Sequence, residues 1–276
     1  MPNSRNLLGA DCIPISPFVL GMVGDANVVP AAFDAGINTF FLTADMHWPM
    51  YDALRRGLEL LFERGRHVRE QVCVMAVSYV TQREFAVLPF HEVIDCVRGL
   101  GHLDATIIGG AYKEDFLGRL PAYRNHTTGD VPGVRAIGST FHDRAACAAA
   151  LAEGLIDVAF TRYNTVHRNA EKDVFLAPRR PRTLLYNFKS VMDHVSKARF
   201  AELRLGADYW YPEVWDHYRF ALTTGPFDGL LCSFRNEYQL RESLDGIARG
   251  PLSEEEVQYM IDLADLHLGH ATLASE

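Results

Sequence analysis

Eight short apolar runs rich in β-forming residues recur along the chain, and most are followed by a stretch whose apolar residues fall at helical spacing. They are "PFVLGMV" (17–23), "NTFFLTA" (38–44), "VCVMAVSYV" (72–80), "DATIIGG" (104–110), "VRAIGST" (134–140), "DVAFTRYN" (157–164), "TLLYNF" (183–188) and "DGLLCSF" (228–234). Runs this apolar do not suit strands with one wet face; they suit a parallel sheet covered on both sides. Between them, "VVPAAFDAG", "YDALRRGLELLFERG", "FHEVIDCVRGLG", "DRAACAAALAEG" and "NEYQLRESLDGIARG" have helical periodicity, several ending at glycine. Strand and helix alternating eight times predict an α/β fold, a closed (β/α)8 barrel, and 276 residues suit one such domain over 1–276. The fourth crossover, "AYKEDFLGRLPAYRNHTTGDVPG", reads as a partly irregular connection, and 190–212 as a long loop able to fold over the mouth. The final "PLSEEEVQYMIDLADLHLG" reads as a helix with Ser253 as N-cap and Glu256 completing a capping box.

Charge and cysteine usage narrow the partners. A formal charge of −8 argues against nucleic acid, which needs a basic face to displace counterions. The five cysteines contain no CxxC pair and sit mostly in apolar runs, so free thiols in a reducing compartment are expected. The first residues, "MPNSRNLLGADCIP", lack a basic segment followed by an apolar core, and no uncharged run approaches the length of a membrane span. The expectation is a cytoplasmic protein with no membrane partner, of unspecified oligomeric state.

Several segments, in order along most of the chain, resemble the aldo-keto reductase superfamily. "AGINTFFLTA" is similar to its second-strand pattern, "IGSTFH" to its fifth strand, and "LIDVAFTRYNTVHRNAEKDVF" to its "YN" segment. "FRNEYQLRESLDGIARGPLSEEE" is similar to its eighth-strand end and last helices. The resemblance implies an aldo-keto-reductase-type barrel with C-terminal helices. It also implies a nicotinamide-dependent carbonyl reductase, with a proton-donating tyrosine assisted by lysine, aspartate and histidine. At those four positions this chain has His47 for the tyrosine, Leu42 for the aspartate, Ser78 for the lysine and Gly109 for the histidine. Loss of a positioned acid alone removes about 10²- to 10⁴-fold of rate. The implied dinucleotide cradle is also eroded: Thr140 and Phe141 replace its Ser-Asn pair and Ser243 its final Asn, while Arg235, Asn236 and Gln239 match. NADPH is thus a possible cofactor on a weakened cradle of Ser233, Arg235, Asn236 and Gln239, and no cofactor is expected outright.

Barrel sites lie at the C-terminal ends of the strands. Reading those ends gives a polar rim. His47 stands as the candidate acid/base, with Asp45 and His142 as helpers; an imidazole exchanges protons near neutral pH. Trp48, Ser78, Tyr79, Tyr112, Thr140, Asn164, His167 and Lys189 are candidate substrate contacts, Trp48, Tyr79 and Tyr112 as walls. Each histidine also has a plain structural role available, and Asp143 reads as an N-cap. No metal is expected: His47, His142 and His167 come from three strand ends but lack HxH or HExxH spacing. Lys189 could form an imine if desolvated, and "GGAY" at 109–112 reads as a small-residue opening that either enlarges the pocket or admits a ligand close to backbone amides.

Three functions compete. The first is proton-transfer chemistry on a small metabolite, by a lyase, isomerase, cyclase or hydrolase. The second is an NAD(P)H-dependent reductase of an activated carbonyl or imine, with His47 supplying the proton. The third is a non-catalytic barrel that binds a ligand or partner.

Overall fold

The computed structural model describes residues 4–43, 45, 48–205 and 209–269. A two-stranded antiparallel hairpin, β1 (Asn6–Leu8) and β2 (Ile13–Ile15), precedes the eight barrel strands. These are β3 (Phe18–Val23), β4 (Thr39–Thr43), β5 (Cys73–Ser78), β6 (Ala105–Ala111), β7 (Ala136–Phe141), β8 (Val158–Arg162), β9 (Leu184–Phe188) and β10 (Gly229–Phe234). They pair in parallel in chain order, and β10 closes on β3. Each overlaps one of the eight apolar runs. Their side chains are almost all buried, which explains why the runs show no alternation of wet and dry positions.

The outer layer comprises α1 (Val28–Asp34), α2 (Asp52–Phe62), α3 (Arg66–Arg69), α4 (Leu88–Cys96), α5 (Lys113–Asn125), α6 (Arg144–Glu153), α7 (Lys197–Glu202), α8 (Val214–Thr224), α9 (Glu237–Ile247) and α10 (Glu254–His267). Asp143 caps α6 by accepting from the backbone N–H of Ala145 (2.9 Å) and Ala146 (3.1 Å). Ser253 and Glu256 form the expected capping box on α10.

The structure corrects the reading of two connections. The fourth crossover is irregular only in its second half, past a kink at Gly129; its first half is α5, which runs thirteen residues and buries Phe116, Arg119, Leu120 and Tyr123, spaced three and four apart. An arginine on the inner face and a proline, Pro121, inside the helix disguise that periodicity. Arg119 is 2% exposed and donates to the carbonyls of Gly109 (2.9 Å) and Ser78 (2.6 Å), with Asp115 as its ion-pair partner at 3.0 Å. The segment after β9 is likewise not all loop. It carries α7, whose Ser196 N-cap accepts from Arg199 N–H, and α8 follows with its own capping box of Glu213 and Asp216.

Inside the barrel, rings stack from mouth to floor: Phe41 meets Phe160 at 5.3 Å between centroids, and Phe160 meets Tyr186 at 5.7 Å. At the floor the Tyr186 hydroxyl donates to the carbonyl of Ser16 (2.9 Å) and accepts from Asn6 Nδ2 (2.9 Å), tying the hairpin across the strand starts. Asp104 also belongs to the floor, accepting from Val74 N–H, Arg69 and Arg135. The hairpin closes one end, so the opening lies at the other. Among the described residues, no helix is long and apolar enough to cross a membrane. All five cysteines are free thiols, with Cys73, Cys147 and Cys232 buried.

Candidate active site

The C-terminal ends of the strands enclose a cavity of about 500 Å³, within the range of small-molecule sites. Phe41, Met50, Tyr51, Tyr79, Phe188, Val191, Met192, Tyr218 and Leu231 make it largely apolar and aromatic. Thr140, His142, Lys189, Ser190 and Ser233 are its polar members. The polar rim read from the sequence is thereby corrected. Polar groups do border the mouth, but the body of the space is greasy, because loop residues 50–51 and 190–192 fold inward over the strand ends.

Three of the four positions that the resemblance matches to the family's catalytic residues are taken up in the packing of the described residues. Leu42 is fully buried in the core. Ser78 is fully buried too, and its hydroxyl accepts from Val80 N–H at 3.1 Å. Gly109 does not leave the expected opening: a Cβ there would lie 2.8 Å from the Ser78 carbonyl and 2.9 Å from the Tyr79 ring. The Tyr79 ring fills that place. Asp45 accepts from Tyr79 N–H at 2.6 Å, joining the loop after β4 to the end of β5. His47 lies outside the described residues.

The other expected contacts divide. Tyr79, Thr140, His142, Lys189 and Ser233 come together on the cavity. Thr140 Oγ1 accepts from Gly110 N–H at 2.8 Å, so this hydroxyl also shapes the β6 end. Trp48 packs against the core rather than lining the space, and Tyr112 stacks outside His142 with centroids 6.2 Å apart. Asn164 is a structural residue. Its Nδ2 donates to the carbonyls of Lys189 (2.8 Å) and Met192 (3.2 Å), while its Oδ1 accepts from Val166 and His167 N–H. His167 pairs with Asp193 at 3.0 Å and faces a separate small cleft. Among the described residues no group of three metal-binding side chains is assembled.

Two wall residues escaped the sequence reading although they carry chemistry. Tyr51, four residues past His47 in sequence, is 9% exposed. Burial, then the nearby Tyr79 and Asp45, push its phenol up, so it keeps its proton and remains a hydrogen-bond donor. Arg162, at the end of β8, shares the smaller cleft with His142. The apolar wall residues of the loops were missed because in sequence they look the same as core.

His142 and Lys189 both contact the Phe188 ring: the imidazole edge-on at 6.0 Å, the ammonium over its face at 5.6 Å. Burial, then Lys189 and Arg162, hold His142 below the usual histidine range. Burial, then Arg162, hold Lys189 below the usual lysine range, with Asp193 opposing. Both environments favour the uncharged form of the side chain.

The residues matched to the dinucleotide cradle gather at the start of α9. Asn236 caps α9 by accepting from Gln239 N–H (2.9 Å), and Gln239 Oε1 accepts from Arg235 N–H (2.7 Å). Both side chains are committed to starting the helix, and Glu237 puts a carboxylate in the first turn, where a phosphate would seek positive charge.

A parallel barrel closed below by a hairpin and open above onto a side-chain-lined cavity is the (β/α)8 barrel of aldo-keto reductase type. The chain superposes on the holo form of an aldo-keto reductase from Bacillus halodurans with a TM-score of 0.69 at 14% identity, covering 94% of this chain and 96% of that one. The apo form of the same protein gives a TM-score of 0.65 at 14% identity, over 94% and 95%. An aldo-keto reductase from a Medee basin deep-sea metagenome library gives 0.63 at 15% identity, over 94% of each chain. No family model and no curated protein matches the sequence. The likeness at this identity is one of fold.

Proposed function

We propose that this chain is an enzyme that moves protons on a small carbonyl-bearing metabolite, without hydride transfer, in a reducing cytoplasmic setting. The observation that carries the reading is the His142 imidazole on the wall of an aromatic cavity, where burial favours its neutral form, and the resemblance supports it by matching Leu42, Ser78 and Gly109 to the family's redox positions. The unprotonated ring nitrogen takes a proton from the carbon next to the carbonyl. The C–H electron pair moves into a C=C bond, and the carbonyl oxygen gains negative charge. Tyr51, a phenol that keeps its proton, donates a hydrogen bond to that oxygen. Return of the proton to a different atom completes an isomerisation; loss of a β-substituent instead completes an elimination. His47 stays in this reading as the partner acid, and Asp45 as the residue that fixes its loop.

The test is deuterium exchange. A panel of small aromatic ketones and 2-oxo acids is incubated with the protein in D2O, and loss of the α-proton is followed by NMR. Exchange is expected, and His142→Gln is expected to slow it by about 10²-fold or more without lowering the Tm. Parallel titration with NADPH and NADH decides the alternative: tight binding with carbonyl-dependent oxidation and no exchange would overturn the proposal in favour of a reductase.

A further inference from the structure

The wall that holds His142 also concentrates positive charge in a chain whose formal charge is −8. Five basic side chains cluster at the ends of β7, β8 and β9: His142, Arg144, Arg162, His167 and Lys189. Two of them are answered locally, Arg144 by Asp173 at 2.9 Å and His167 by Asp193 at 3.0 Å. Arg162 and Lys189 make no ion pair among the described residues. They flank His142 from two sides, Lys189 on the main cavity and Arg162 on the adjoining cleft, with His142 forming the wall common to both.

Cations without an ion pair beside an apolar cavity are held there at a cost, because each raises the free energy of its neighbours' charged forms, a cost that Asp193 offsets only in part at Lys189. An anion seated among them reverses that cost, and an arginine fork recognises an oxyanion through paired hydrogen bonds. Across the barrel from β8 and β9, the cavity is lined by Phe41 of β4, Tyr51 in the loop after β4 and Tyr79 after β5, with no cation among them. The space is therefore amphiphilic, its charged end at the β8–β9 side and an uncharged aromatic face at β4 and the end of β5.

We propose that Arg162 and Lys189 form an oxyanion subsite, and that the substrate is an aromatic-bodied molecule bearing one carboxylate or phosphate head group. This rests on the proposed use of His142, since the head group would place the carbon adjacent to it within the imidazole's reach. Lys189 then anchors charge and forms no covalent bond. The subsite lies at the β8–β9 ends and owes nothing to the start of α9.

Three probes of matched shape test it by calorimetry: 3-phenylpropanoate, its uncharged amide 3-phenylpropanamide, and phenyl phosphate. Binding of at least one anion is expected, with the amide weaker by about tenfold or more. Arg162→Gln and Lys189→Gln are each expected to weaken anion binding by a similar factor and to leave amide binding unchanged, with circular dichroism and Tm confirming that both variants fold. Whichever anion binds more tightly identifies the head group. Equal binding of amide and anions, unchanged affinities in both folded variants, or no binding of any probe at millimolar concentration would overturn the inference. Charge-independent probe binding alongside deuterium exchange that depends on His142 would remove the subsite and leave the proton-transfer reading. Charge-dependent binding without exchange would do the reverse.

Discussion

Lys189 has a backbone φ of +61°, a left-handed conformation that costs a residue with a side chain about 1–2 kcal/mol. Nothing in its own side chain requires that geometry. It is imposed by Asn164 holding the Lys189 carbonyl, and it turns the chain so that Ser190, Val191 and Met192 face the cavity. Strain of this sort persists where the surroundings over-determine a position, and it concentrates at functional sites. Lys189→Gly should therefore move the urea midpoint upward, by up to about 1 kcal/mol of stability once the extra freedom of glycine in the unfolded chain is subtracted. The same variant should bind 3-phenylpropanoate more weakly, so stability and binding should change in opposite directions. Lower stability in this variant would mean that the Lys189 contacts outweigh its backbone strain.

At the scale of elements, β5 and β6 end as one unit, their terminal carbonyls gathered by the Arg119 guanidinium from α5 and their inner surface covered by Tyr79. Gly109→Ala should destabilise the fold by about 1–3 kcal/mol, because the new methyl would meet a backbone carbonyl as well as a ring. Urea unfolding checks the size, and Tyr79→Ala introduced alongside should recover only the part due to the ring. The eight strands were legible in the sequence because burial on both faces leaves an unmistakable apolar run. The α5 helix was not, since its core-facing row includes Arg119 and its interior includes Pro121, two residues that ordinarily argue against a buried helix. The site was legible in part. His142 and Lys189 follow from strand-end position alone. Tyr51 and Arg162 do not, because their place depends on how a loop turns and where a strand stops.

At the scale of the whole molecule, burial among the described residues favours the neutral form of two histidines. His126 is 1% exposed, bonds Thr106 Oγ1 at 3.1 Å and packs on Phe90 and Tyr123; burial pushes it down to about 4. Burial, then His194, push His217 down to about 3. Both would titrate near 6.5 in the unfolded chain, so the unfolded state binds more protons below that value. Their contribution is complete above pH 6.5 and is lost progressively as pH falls towards about 4 for His126 and about 3 for His217. Each should lower unfolding free energy by about 2 kcal/mol between about pH 7.5 and about pH 5. Urea unfolding at the two pH values measures this, and an unchanged midpoint would show that neither ring is held neutral. The Asn164 side chain, finally, fixes the loop over the cavity from the neighbouring strand end by grasping two of its carbonyls at once. A ligand entering here meets a receptor whose ordering entropy was lost during folding, so recognition proceeds by simple docking and selectivity is expressed in how long a ligand stays.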